Sequence, residues 1–315
     1  MEAPLVSIVI VCMNRLDNLV PCLEGIRAHT AVPYETLVVA YRFSPENLQK
    51  VQADYPWVHW IVSDEIRGFS ENNNLALRQA RGQYCFVLND DTEIREDVIG
   101  ALVQDFAKLP DAAIVSPRLL NADGSLQLCG RPPYPARYYV LQQWHLHKEP
   151  IDDTAGKMPL FRQVFRTSNI TGAAFLIRTD VFRELGWFDE TYFFTPEDIA
   201  LSTLARQRGY GVYVDRAVSL THKWRTTATR ISPAIRPAAV RGSLLFFSGG
   251  SRVKYALLAL PVWLAEFSKR TKAAVKLRRD PSEANRIAWE TFRNISRNIF
   301  TCRTPKEIFT RYFHA

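Results

Sequence analysis

Asn89, Asp90 and Asp91 stand together where an apolar run, Tyr84-Cys85-Phe86-Val87-Leu88, gives way to a polar turn, Thr92-Glu93-Ile94-Arg95. The pattern predicts a buried strand that delivers two carboxylates and a carboxamide to a sheet edge, where open α/β sheets bind ligands. Adjacent carboxylates suit a hard cation such as Mg²⁺ or Mn²⁺, whose remaining ligands commonly come from a substrate's phosphates. The same two aspartates could equally cap the next helix, a role Asp fills well.

Three further segments carry reactive side chains. The first, Arg67-Gly68-Phe69-Ser70-Glu71-Asn72-Asn73-Asn74, is a Gly- and Asn-rich turn entering a helix. The second runs Gly186-Trp187-Phe188-Asp189-Glu190 and continues to Phe193-Phe194-Thr195-Pro196-Glu197-Asp198. Its terminal acid pair reads either as a helix cap or as a general base. In the third, Ser219-Leu220-Thr221-His222, a strand ends in an imidazole.

The elements that must position these residues alternate. Leu5 to Cys12, Glu35 to Ala40, Val58 to Val62 and Tyr84 to Leu88 read as strands. Between them, Asn18 to His29, Pro45 to Tyr55 and Asn72 to Ala80 read as helices, the first with apolar Leu19, Cys22, Leu23 and Ile26 at helical spacing. Residues 96–109 continue as a helix and Ala113 to Ser116 as a strand. From Asn121 to Leu160 the pattern dissolves into Gly, Pro and aromatic residues, a length of loop that is more often functional than idle. Regularity returns with a strand from Ala173 to Arg178, helices from Thr179 to Leu185 and Ile199 to Arg208, and a strand from Gly211 to Val214. The expected class is α/β with a mostly parallel, doubly wound sheet.

In this order the motifs resemble the inverting, nucleotide-sugar-dependent glycosyltransferases of family 2 with the GT-A fold, notably their bacterial rhamnosyltransferase-like branch. The resemblance covers roughly residues 4–225 and rests on seven segments. They are the Val6-Ser7-Ile8-Val9-Ile10 strand with its Asn14-Arg15 turn, the Gly68-Phe69 helix start with its asparagines, Leu88-Asn89-Asp90-Asp91-Thr92, Gly172-Ala173 with Arg178, Gly186-x-Phe188-Asp189-Glu190, Glu197-Asp198 and His222. It implies a nucleotide-sugar site at Asn14, Arg15, Arg67, Asn73, Asn89, Asp90, Gly172 and Ala173. It further implies Mg²⁺ or Mn²⁺ at Asp91 with His222 as a further contact, Asp198 as catalytic base, and Glu197 orienting it or binding the acceptor. Trp144, His145 and His147 could stack on an acceptor sugar. Two positions depart from the pattern. Ala40 replaces an acid that usually meets the nucleotide base, leaving Tyr41 or Arg42 to substitute, and Ala200 replaces the second acid of Glu-Asp-x-Asp.

The net charge of +8 is unevenly spread. Residues 1–225 hold 23 Lys+Arg against 27 Asp+Glu, whereas residues 226–315 hold 17 against 5. The chain therefore divides into a catalytic part, 1–225, and a basic, partly apolar helical extension, 226–315. Val253 to Phe267 is strongly apolar but interrupted by Lys254, Pro261 and Glu266, too short to span a bilayer. Lys269, Arg270, Lys272, Lys276, Arg278 and Arg279 follow. That combination suits an anionic membrane interface and a glycan or polyprenyl-linked acceptor, or a contact between copies. No nucleic-acid module accompanies the charge. Five cysteines without paired spacing, and a strand beginning directly after Met1-Glu2-Ala3-Pro4, predict a cytoplasmic protein, peripheral at the inner membrane face. A nucleotidyltransferase would need a Gly-rich basic loop after the first strand, and Cys12-Met13-Asn14-Arg15 is not one. A non-catalytic nucleotide-sugar binder, made conceivable by Ala40 and Ala200, is the alternative to an enzyme.

Overall fold

Apolar, β-branched runs become the middle of a sheet, as the composition of β1 (Val6–Cys12), β2 (Tyr34–Tyr41), β3 (Val58–Ser63) and β4 (Tyr84–Asn89) demands. The computed structural model describes residues 3–148, 163–223 and 231–313. The helices α1 (Leu16–His29), α2 (Pro45–Asp54) and α3 (Phe69–Leu77) connect the four strands in parallel. Then follow β5 (Thr92–Glu93), α4 (Val98–Lys108), β6 (Ala112–Leu120), β7 (Gly130–Arg131), α5 (Ala136–Gln143), β8 (Val164–Arg166), β9 (Asn169–Ile170) and β10 (Ala174–Arg178). The helices α6 (Thr179–Glu184) and α7 (Glu197–Gln207) lead to β11 (Gly211–His222), and α8 (Ser232–Ser248), α9 (Arg252–Arg279), α10 (Glu283–Asn298) and α11 (Pro305–Tyr312) close the chain.

The main sheet runs β3-β2-β1-β4-β10-β6-β11-β5, with β8 also on β11. The expected mostly parallel α/β sheet is present, with a reversal in its middle, where β10 runs antiparallel to both β4 and β6, and with β5 and β8 antiparallel on β11 at its edge. The start of β10 therefore meets the end of β4, the edge at which the Asn89 turn emerges. Strand order reverses beside β1 and β4, and the crevice at such a reversal is where this class of sheet holds ligands.

Several boundaries differ from expectation. Helix α3 begins at Phe69 rather than Asn72, because Gly68 serves as its N-cap and the Glu71 carboxylate accepts the Gly68 N–H at 3.1 Å. Helix α7 begins at Glu197 rather than Ile199, so both acids lie in its first turn. The irregular stretch after Asn121 contains β7 and α5, while its residues 149–162 lie outside the described residues. The strand expected over 211–214 and the one ending at His222 are a single strand, β11, with a register shift between Asp215 and Ser219.

The extension is helical, as expected, and folds against the catalytic part. Phe193, Ala234, Ala238 and Phe309 share one buried cluster, and Lys306 Nζ reaches Glu71 Oε1 at 2.6 Å. Among the described residues, no helix is long and apolar enough to cross a membrane. The five cysteines are free, four of them buried.

Candidate active site

A recess of about 430 Å³ opens at the carboxyl ends of β1 and β4. Arg67, Asn73, Asn89, Asp90, Asp91, Gly172, Ala173, Glu197, Asp198 and His222 all line it. Asn14 and Arg15 do not. The Asn14 side chain accepts from Ser44 N–H (3.2 Å) and Asn47 Nδ2 (2.9 Å), which ties it to the start of α2. Arg15 forms a two-pronged pair with Asp17 at 2.9 and 2.6 Å.

One wall is the turn after β4. Asn89 N–H donates to Ala173 O at 2.9 Å, so the reversed β10 fixes where the acids emerge. Asp91 is 8% exposed, and its Oδ1 lies 3.2 Å from His222 Nε2. Burial and the neighbouring Asp91 charge push Asp90 up to about 7, against the pull of the Cys12 thiol beside it. Burial and Asp90 in turn push that thiol well up, which keeps it protonated, and it donates to Arg15 O at 3.5 Å.

The imidazole is held by a residue that belongs to none of the motifs. His222 Nδ1 lies 2.5 Å from Gln127 Oε1, while Gln127 Nε2 donates to His222 O (3.2 Å) and Asn121 Oδ1 (2.8 Å). Asn121 Nδ2 donates in turn to Ser125 Oγ at 2.9 Å. With both acceptors on its Nε2 side, Gln127 can only present oxygen to the ring, so Nδ1 carries the proton; Nε2 then accepts from Asn89 Nδ2 at 3.4 Å, and a cation would join its lone pair to Asp91 Oδ1 3.2 Å away. This is the outer-shell arrangement of a metal-binding histidine. Gln127 sits 95 residues from its partner, in a stretch without periodicity, and nothing in its immediate sequence marks it.

These atoms fit a divalent cation. One carboxylate oxygen and one imidazole lone pair converge, and a second carboxyl is destabilised by the repulsion that a cation would relieve. Among the described residues no group of three or more His, Cys, Asp or Glu could hold a metal. Asp91 and His222 would thus be a partial coordination set, leaving positions for phosphate oxygens.

The opposite wall carries the acid pair. Asp198, 8% exposed, accepts from Gly172 N–H at Oδ2 (3.2 Å) and from Ile199 N–H at Oδ1 (2.7 Å), with Arg131 Nη2 at 3.9 Å. A Cβ at position 172 would lie 3.4 Å from that of Asp198, so Gly172 contributes its N–H more than its lack of a side chain. Burial, and then the Asp198 charge, drive Glu197 upward, so this pair retains a proton at neutral pH. Glu197 Oε2 has no hydrogen-bond partner among the described residues.

Close backbone approaches hold this wall. A Cβ on Gly68 would sit 2.1 Å from Phe193 O, and Phe69 N–H donates to that oxygen at 2.9 Å. The asparagine run is largely structural: Asn74 Nδ2 donates to Phe188 O (2.9 Å) and Asn74 Oδ1 accepts from Phe188 N–H (3.1 Å). From above, Gly242 of α8 lies so close that its Cβ would be 2.7 Å from Thr195 O, and Ile231 and Ile235 join the lining.

Of the two residues expected to substitute for the acid missing at position 40, Tyr41 lines the recess and accepts from Arg67 N–H at 3.3 Å, whereas Arg42 lies over the Phe313 ring. Ala40 is fully buried. Ala200 faces a separate groove lined by Tyr192, Leu204 and Phe246, so a missing acid there leaves the recess unchanged. Trp144, His145 and His147 are not part of this lining: His147 stacks on Tyr138, and His145 faces the recess between α8, α9 and α10.

Known proteins resemble this chain in sequence and, separately, in fold. RfbC of Myxococcus xanthus, an O-antigen biosynthesis protein, is 27% identical over 75% of this chain and 18% of its own length. The hexosyltransferase Agl10 of Haloferax volcanii, which acts in low-salt glycan biosynthesis, is 24% identical over 64% of this chain and 66% of its own. The N-acetylglucosaminyl-diphospho-decaprenol L-rhamnosyltransferase of Mycobacterium tuberculosis is 26% identical over 52% of this chain and 54% of its own. The chain thus spans less than two thirds of the length of these relatives. Among solved structures, GalNAc-T7 with UDP, GalNAc and Mn²⁺ superposes with a TM-score of 0.56 at 17% identity, covering 75% of this chain and 47% of that one. The mannosyltransferase PcManGT of Pyrobaculum calidifontis with GDP-Man and Mn²⁺ gives 0.55 at 14%, covering 96% and 89%. Both share the fold, and the profile of glycosyl transferase family 2 matches residues 7–186, more than half the chain. The chain belongs to glycosyl transferase family 2.

Proposed function

We propose that this glycosyltransferase is metal-dependent and inverting, moving a hexosyl or deoxyhexosyl group from a nucleotide sugar to a hydroxyl of a glycan or polyprenyl-linked acceptor in cell-surface polysaccharide synthesis. The observation that carries this reading is the sharing of one recess by Asp91–His222 and Asp198–Glu197. The names of the relatives support it: they include an O-antigen protein, a rhamnosyltransferase named for a decaprenol-linked sugar, and structures holding nucleotide and Mn²⁺. The reacting groups would lie within residues 1–225 and the protein at the inner face of the cytoplasmic membrane, with 226–315 as a wall and docking element.

Asp198 acts as general base. Two backbone N–H groups hold its carboxylate, and it takes the acceptor hydroxyl's proton as that oxygen forms its bond to the anomeric carbon. The bond from that carbon to the diphosphate breaks on the opposite side, which inverts the centre. Glu197, kept protonated, spares Asp198 a second adjacent negative charge and leaves an unpartnered oxygen for a polar substrate group. A bound Mg²⁺ or Mn²⁺ supplies charge neutralisation for the departing diphosphate. Asp91 and His222 would hold it, and Tyr41 and Arg67 border the place left for the nucleotide.

Incubation with a panel of nucleotide sugars and Mn²⁺, comparing wild type with Asp91→Ala, tests the reading. Turnover or binding of one donor, lost in Asp91→Ala, is expected. Absence of binding and turnover across the panel would overturn it.

A further inference from the structure

Helix α9 joins two faces that the sequence interleaves. Ala259, Val262, Ala265 and Glu266 are buried towards the other helices, Glu266 being paired with Lys269 at 2.6 Å. The other side is bare. Val253, Leu257, Leu260, Leu264, Phe267 and Val275 are 42–71% exposed. At about 100° per residue they fall within an arc of roughly 80° that runs nearly the full helix. Phe267 stacks on Trp263 at 5.0 Å, and Trp263 lies 6.4 Å from Phe300, itself 56% exposed, so aromatic rings border one edge of the stripe. An exposed apolar strip of this kind, interrupted by Thr271 between Phe267 and Val275, marks a contact surface.

The charges say which contact. Lys254, Lys272 and Arg279 lie about 80–100° to one side of the stripe and Arg252 and Arg270 about 100° to the other. Arg278 closes its C-terminal end. None of the six has an ion-pair partner among the described residues, and Glu266, the sole acid of α9, is fully buried. The spacing of four and three residues would also serve a coiled-coil seam. Two copies would then face each other with cations on both edges and no acid to pair them, which opposes association. An anionic bilayer reverses that sign, taking the apolar side chains into the acyl boundary and the flanking cations to the phosphates.

We propose that α9 lies along an anionic membrane surface through its Val253–Val275 stripe, the flanking Lys and Arg meeting lipid phosphates. This deepens the reading of a lipid-linked acceptor and rests on it for its purpose. The experiment omits donor and acceptor, so the two stand or fall separately.

The whole chain is floated with vesicles of phosphatidylcholine alone, or with about a third of the lipid replaced by phosphatidylglycerol. Binding is expected to the anionic vesicles and to weaken with salt. Leu257→Ser/Leu264→Ser should reduce it about tenfold or more, and Lys272→Glu/Arg279→Glu by a similar factor. All these positions are solvent-exposed, so circular dichroism should be unchanged. Binding to neither vesicle, or binding that neither variant alters, would overturn the proposal. So would a wild-type dimer in sedimentation equilibrium that Leu257→Ser/Leu264→Ser converts to monomer, which would assign the stripe to a second copy.

Discussion

Asp198 and Glu197 are adjacent in sequence but not in chemistry. One is held by N–H groups that favour its charge, the other is buried without a partner for Oε2. Asp198→Asn should lower transfer on the order of a hundredfold to ten-thousandfold while leaving donor affinity nearly unchanged, measured as turnover against calorimetric binding. Gln127→Leu should weaken Mn²⁺ roughly ten- to a hundredfold, read from the Mn²⁺ dependence of donor binding, by releasing the His222 tautomer. An unchanged Mn²⁺ dependence would remove Gln127 from the site. At this scale the sequence was informative wherever several chemical types cluster within a few residues, as at Asn89-Asp90-Asp91. It was silent on Gln127 and on Arg131 beside Asp198, because these meet their partners only through the fold. Asn14 shows the converse: its side chain is spent on holding α2.

Helices and strands were legible where hydrophobic period was clean, as in β1, α1 and β4. The reversal of β10 was not, since a strand buried on both faces carries no sign of its direction. Helix α9 was obscured because small buried residues on one face and large exposed ones on the other leave no single apolar side. The contact of α8 with the Thr195 turn is also tertiary. Gly242→Ala would drive a methyl against a backbone oxygen that cannot turn aside. It should cost about 1–3 kcal/mol of stability, seen as a lower melting temperature, and reduce transfer by shifting Glu197 and Asp198. Equal melting of variant and wild type would show that α8 can move off at no cost.

For the molecule as a whole, three carboxyls share one tendency. Burial lifts Asp90 and Asp105 to about 7 and Glu197 to about 8, with an adjacent acid adding to each. The folded chain thus holds protons that the unfolded chain has released above the ordinary values of 3.8 and 4.5. Their stabilisation is complete below those values and declines as pH rises through about 7 to 8. Melting in a chelating buffer should therefore fall between pH 5.5 and 8, and Glu197→Gln should flatten the fall. A melting temperature that rises over this interval would refute the assignment. The charge division at residue 225 was legible in the sequence, but it does not mark where packing stops. Ile231 and Ile235 line the recess, and Phe309 packs on Phe193. Removing residues 226–315 should therefore yield a chain that aggregates, with turnover lost, as light scattering and assay would report.

The reversed β10 has one more consequence. Ala173 O receives Asn89 N–H, and the next residue back, Gly172, donates to Asp198. A single stretch of backbone thereby gauges the distance between the Asn89-Asp90-Asp91 turn and Asp198, the groups proposed to meet the leaving diphosphate and the attacking hydroxyl. That gauge is made of main chain, so side-chain change cannot readily retune it. Diversification towards thicker or thinner acceptors would then fall to the replaceable side chains of the roof, Phe194, Ile231 and Ile235, while the span of the reaction stays constant.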